Sequence, residues 1–224
     1  MTLSDRDAWF ALCDIDGESD FSFQDLIASI EQLVDAERSR LSDNKLARYG
    51  DSEIFRLMIE EEVLSSIESL LGVSLVMQQI RMAGSLGKAQ VLAKGRGRTF
   101  GNYELLALGR QVEGTEWSVA RGIWELANFF KHRDEWTDWA LSGRNGRTIE
   151  VIVALGCGEA FSNNLELGIR GMALERCLEL PKEYAPAGVF DGKHLLALEL
   201  AVSEWKSMLQ RFLAIELGIT SPYK

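Results

Sequence analysis

Apolar residues recur at helical spacing over most of the chain. Near the start, residues 8–13 predict a short helix, with Ser4 and Asp7 placed to cap it. From Ser22 onward, Leu26, Ile27, Ile30, Leu33, Val34 and Leu41 mostly follow a 3.6-residue period, and a polar stretch at 42–50 ends the pattern. Asp51 or Ser52 can cap the next helix, whose Ile54, Phe55, Met58, Val63, Leu64, Ile67 and Leu71 lead to Gly72, a plausible C-terminal stop. Residues 73–82 predict a further helix. After it, Gly84, Gly87 and the segment KGRGRTFGN predict a flexible connection.

Asn102 can cap a helix reaching Val112, and Thr115 another that holds the aromatic stretch 117–139. SGRNGR at 142–147 has the residues of a loop, and TIEVIVAL at 148–155 has the β-branched content of a strand but equally suits a buried helix, the reading preferred here. Residues 163–180 predict a helix and PKEYAPAG a loop. Asp191 can cap a closing helix to Leu217, whose Leu195, Leu196, Leu198, Leu200, Val202, Trp205, Leu209, Phe212 and Leu213 make an apolar face broad enough to be central to a bundle. Pro181, Pro186 and Pro222 are the sole prolines, so nothing before them forbids helix. The expectation is an all-α, single-domain bundle of about seven to nine helices over residues 1–224, with 1–21 as a loosely attached N-terminal segment.

Composition narrows the setting. Cys13, Cys157 and Cys177 are odd in number and far apart, which fits a reducing compartment, so the expected location is cytoplasmic. No unbroken apolar run of about 18 residues is present, and the start MTLSDRDAWF carries acids where a signal peptide carries bases, so neither membrane nor export is expected. The net charge of -10 argues against a protein that coats nucleic acid non-specifically. Acids crowd residues 14–25 and form the run Glu60, Glu61 and Glu62. Between Gly84 and Tyr103 there is no acid, whereas Lys88, Lys94, Arg96 and Arg98 make one basic segment.

The candidate chemistry lies in 117–139, which holds Trp117, Trp124, Trp136 and Trp139. At about 100° per residue, Arg121, Glu125, Asn128 and His132 share one stripe of a helix, and Val119, Ile123, Leu126 and Phe130 lie opposite. ANFFKHRDEW, residues 127–136, together with Arg121, resembles the HEPN family of helical prokaryotic ribonucleases and nucleotide-binding proteins. In that family an Arg, commonly followed by a polar residue, precedes a His by four to six positions. Two such helices meet at a dimer interface to cut RNA without metal.

Asn128 and His132 match the second half of that pattern. Position 127 is Ala, and the nearest upstream arginine is Arg121, eleven residues before His132. Along a helix that is about 16 Å, so the pair could meet one phosphate only across a symmetric dimer. The resemblance implies His132 as general acid or base, Arg121 or Arg133 stabilising the phosphate and Asn128 orienting the RNA or the imidazole. Lys94, Arg96, Arg98, Lys131 and Arg133 would then contact the RNA backbone. It implies a homodimer and no cofactor. The bland reading is a hydrogen-bonded packing surface.

Asp14 to Leu26, DIDGESDFSFQDL, is similar to an EF-hand loop, with oxygens from Asp14, Asp16, Glu18, Ser22 and Asp25 at the ligand offsets. Ser19 stands where the sharp turn takes Gly, and Asp25 is shorter than the usual bidentate Glu. An acid-rich turn between two helices is therefore expected rather than a metal site. The glycines and arginines of KGRGRTFGN fit neither a dinucleotide fingerprint nor a P-loop. Two functions follow. The first is a HEPN-like RNA-binding or RNA-cleaving protein of a bacterial defence or toxin-antitoxin type. The alternative is a non-catalytic acidic interaction protein, an immunity protein or antitoxin, that binds a basic protein partner.

Overall fold

The computed structural model describes residues 3–15, 20–40, 52–132, 146–157 and 192–222. These are helical throughout apart from short connections. The helices are α1 (Asp5–Cys13), α2 (Asp20–Arg40), α3 (Glu53–Gly95), α4 (Asn102–Leu106), α5 (Val119–His132), α6 (Gly146–Ile152) and α7 (Gly192–Glu216). A π-helical turn, Val153–Cys157, continues α6. The chain is thus all-α, and TIEVIVAL is helix, not strand. The expected helix at 163–180 and the loop after it lie outside the described residues.

α3 organises the bundle. It has 43 residues, which at 1.5 Å each is about 65 Å, and α1, α2, α5 and α7 all pack on it. The expected stop at Gly72 and flexible connection from Gly84 are corrected: one helix runs through all three glycines to Gly95. At Gly72 the reason is packing, because a Cβ there would lie 2.0 Å from the Phe130 ring of α5. The glycine is a notch that admits a neighbour. Gly84 and Gly87 face open space, and before, between and beyond them Met82, Ser85, Leu86, Ala89, Leu92 and Ala93 keep a buried stripe at helical period. That burial outweighs the roughly 1 kcal/mol that each helical glycine costs. Arg96 caps the end of the helix, and Gly97 after it takes φ +71°.

α3 is also the one described helix long and apolar enough to cross a bilayer, with an 18-residue window of mean hydropathy 1.4. Just over half of that window (53%) is buried inside the bundle. Residues 3–15 dock firmly on its far end. The Leu3 amide donates to the Gly95 carbonyl at 3.0 Å, Ser85 Oγ donates to the Ile15 carbonyl at 3.1 Å, and Ala8, Leu12 and Ile15 are core residues.

Two further boundaries differ from expectation. α4 ends at Leu106, short of Val112, and α5 begins at Val119 because Ser118, not Thr115, accepts from the Arg121 amide at 3.0 Å. Between them Gln111 and Ser118 form an antiparallel bridge. Thr115 serves that turn, its hydroxyl donating to the Val112 carbonyl at 2.9 Å and accepting from the Trp117 amide at 3.2 Å. α7 closes the core, and Trp205 Nε1 donates to the Leu105 carbonyl of α4 at 3.0 Å.

Candidate functional site

The polar stripe of α5 forms as one unbroken helix and faces inward over most of its length. Arg121 is 6% exposed and Glu125 1%. Arg121 Nε lies 2.8 Å from Glu125 Oε1, one helical turn on, without the alignment of a hydrogen bond, so their attraction is chiefly Coulombic. The other carboxylate oxygen, Glu125 Oε2, accepts from Thr148 Oγ1 of α6 at 2.6 Å and from Asn128 Nδ2 at 3.0 Å. Asn128 Oδ1 accepts in turn from Gln79 Nε2 of α3 at 2.8 Å, and Gln79 Nε2 also reaches the Trp124 carbonyl at 3.0 Å.

The guanidinium of Arg121 is capped by rings. Its Cζ stands 3.7 Å from the Tyr103 ring centroid and 5.6 Å from that of Trp117. Arg147 of α6 lies 4.9 Å from Tyr103 as well. A cation held over a ring face gains from the ring quadrupole. The result is a network that ties α3, α4, α5 and α6 together through charge and hydrogen bonds. Chemically it is a fastening, with the acid, the amides and the hydroxyl each engaged by a neighbour.

His132 is half-buried as the last residue of α5, and Lys131 beside it is exposed. Both sit where the negative end of the helix dipole favours a cation. Arg133, with Glu135, Trp136 and Trp139, lies outside the described residues. The basic segment does not converge on α5. Arg96 Nη2 pairs with Asp5 at 2.6 Å and Arg98 Nη2 with Glu216 at 2.9 Å, which fixes the turn after α3 to α1 and α7; Lys94 is exposed. The expected flexible connection is instead a seam that joins α3 to α1 and α7.

At the acid-rich turn, Asp14 Oδ2 pairs with Lys88 of α3 at 3.0 Å. Asp25 is exposed on α2, and Asp16 and Glu18 lie outside the described residues. Among the described residues no group of three or more His, Cys, Asp or Glu could hold a metal ion.

Two features escaped sequence reasoning. The first is a second buried cluster: Gln78 Nε2 donates to Glu199 Oε2 of α7 at 2.7 Å, and Arg81 pairs with the same carboxylate while its Cζ rests 4.4 Å from the Phe23 ring. Successive residues of a helix point about 100° apart, so Gln78 serves α7 and Gln79 serves α5. The signal was the triplet of polar residues in an apolar helix.

The second is a surface. Along α2 and the N-terminal half of α3, Leu33, Ile54, Phe55, Leu57, Met58 and Val73 are exposed, Ile54 by 72% and Phe55 by 56%. At 100° per residue, α3 positions 54, 55, 57 and 58 spread over about 160° of the helix, and all four are exposed, as a core-facing stripe is not. Two open hollows lie on this side. One of about 440 Å³ is bounded by Leu33, Ala36 and Glu37 of α2 and by Ser69, Leu70 and Val73 of α3. The other, about 570 Å³, lies among Phe55, Met58, Ile59, Glu61, Glu62 and Ser65.

Carboxylates border both hollows. Arg40 bridges Glu37 at 2.7 Å and Glu62 at 3.0 Å, and these two carboxylates raise its pKa. Glu31 is pushed above its ordinary pKa by burial and by the charge of Asp35 one turn away. Over residues 20–40 and 53–65 there are nine acids against three cations. No protein-family model matches this chain, and no curated protein or solved structure is significantly similar to it.

Proposed function

We propose that this chain is a non-catalytic, acidic interaction protein that binds a basic protein partner through the outer side of α2 and the N-terminal half of α3. The observation that carries this reading is the coincidence of exposed Leu33, Phe55, Met58 and Val73 with surrounding carboxylates. Exposed apolar patches flanked by polar residues mark interaction sites, and complementary charge gives such a site its partner choice and association rate.

RNA cleavage by α5 is less well supported. On the HEPN-like reading Arg121 would reach a phosphate and Asn128 the RNA or the imidazole, whereas the first is enclosed between Glu125 and Tyr103 and the second is hydrogen-bonded to Glu125 and Gln79. Releasing Arg121 would leave Glu125 charged and unpaired inside the bundle, at a cost of several kcal/mol.

The test is affinity capture from cells with three forms of the full chain, each captured protein being identified. Against wild type stand the triple variant Glu60→Lys, Glu61→Lys, Glu62→Lys and a control that reverses Glu116, Glu150 and Glu204 on other elements. A basic protein held by wild type and control, and bound at least tenfold less by the α3 triple, is the expected result. Equal retention by both triples would overturn the proposal. So would RNA cleavage by the purified protein that His132→Ala abolishes while the helical circular-dichroism signal persists.

A further inference from the structure

Resting on that reading, we infer that the partner presents an amphipathic basic helix, laid lengthwise along the groove side of α3, with one apolar anchor in the hollow between α2 and α3 and a second in the hollow along α3 itself. The groove's shape is the first argument. The α3 residues bounding the two hollows are centred about nine positions apart, roughly 13 Å along the axis at 1.5 Å per residue. A docked helix spans about 12 Å between positions i and i+8, which fall on one side of it.

The floor of the groove is the second argument. Small residues, Ala36, Ser65, Ser66 and Ser69, line the hollow between the two helices, and Ser69 Oγ donates to the Ser65 carbonyl at 2.8 Å. Such short side chains let a backbone approach closely, and Ser69 demands no hydrogen bond from it. An extended strand, by contrast, would arrive with unpaired amides and carbonyls and find no strand edge to meet them, since the described residues here are helix. A helix carries its own hydrogen bonds.

Charge selects the occupant. Arg40 offsets only part of the charge of Glu37 and Glu62, while Glu60, Glu61 and Asp35 form no ion pair among the described residues. A second copy of this chain would bring the same carboxylates against these, a like-charge arrangement that costs affinity. A helix with lysines or arginines flanking its apolar stripe meets them with opposite sign.

The experiment measures binding of labelled synthetic peptides to the full chain by fluorescence anisotropy. The probe is a Leu/Lys amphipathic helix of about 18 residues, roughly 27 Å long; its controls are a version with two central prolines and a Leu/Glu version. The expected result is binding of the Leu/Lys helix, weakened at least tenfold by Leu33→Asp, by Ser69→Trp and by the Glu60, Glu61, Glu62 reversal. The proline and Leu/Glu peptides should bind at least tenfold more weakly to wild type.

Equal binding of the proline peptide would overturn the helical occupant while leaving an acidic docking face intact. Equal binding of the Leu/Glu peptide would overturn the role of charge. Absence of binding by every peptide would overturn the groove as a helix site, and the capture experiment above would then judge the wider reading alone. Concentration-dependent dimerisation abolished by Ser69→Trp would assign the groove to a second copy and overturn the inference as well.

Discussion

Glu125 shows how much one side chain can hold. It is the acceptor for Thr148 and Asn128 and the counter-ion of Arg121, three groups from two helices, in a site closed to water. Replacing it by Ala would leave a buried guanidinium without its anion and two donors without acceptors. Breaking one side of a buried ion pair costs about 3–5 kcal/mol, so Glu125→Ala should lower the denaturation midpoint steeply. Glu125→Gln keeps an oxygen for Thr148 and should lose less. Chemical denaturation of the two variants checks this, and equal losses would mean that the charge on Glu125 contributes nothing. Tyr103 and Trp117 against Arg121 soften the loss in either case, since ring faces partly stabilise an isolated cation.

Among the elements, α3 makes the plainest prediction, because two of its glycines act oppositely. Gly72→Ala drives a methyl into the Phe130 ring and should cost about 1–3 kcal/mol, as overpacking does. Gly84→Ala meets nothing and should stabilise by about 0.4–1 kcal/mol by restricting the unfolded chain. Thermal melts of the two variants should therefore move in opposite directions. If Gly84→Ala destabilised instead, the helix would not be continuous there.

The same glycines explain what was legible in the chain. Periodicity placed α2, α5 and α7 and favoured helix for TIEVIVAL, because each carries an apolar stripe at a fixed spacing. It could not tell a glycine that ends a helix from one that lets Phe130 approach it, since that difference lies in a residue more than fifty positions away. The α5 stripe of Arg121, Glu125, Asn128 and His132 was equally readable as a stripe. Its direction was not, because a polar stripe looks the same whether it faces water or meets Gln79 and Thr148. Ser118 and Thr115 are both competent caps, and only the bridge between Gln111 and Ser118 decides between them.

For the molecule as a whole, the net charge of -10 sets the free energy of folding against self-repulsion, and α2 with the start of α3 carries much of that load. Glu31 reports on it. Its pKa is raised first by burial and second by Asp35, so the folded state holds its proton more tightly than the unfolded chain does. The stabilisation this gives is fully present below the ordinary carboxylate range and is lost as pH rises through the elevated folded value. Near neutrality an ionised Glu31 is therefore a small liability. Glu31→Gln should raise Tm at pH 7 by on the order of 1–2 °C, and the gain should fade at low pH, where wild-type Glu31 is already neutral. Salt separates the two causes. At about 0.5 M the Debye length is a few ångströms, which screens the repulsion from Asp35 but leaves the burial cost. Most of the Glu31→Gln gain should then survive high salt, whereas the gain from Asp35→Asn should largely disappear. If salt erased both equally, charge repulsion rather than burial would govern this side of the protein.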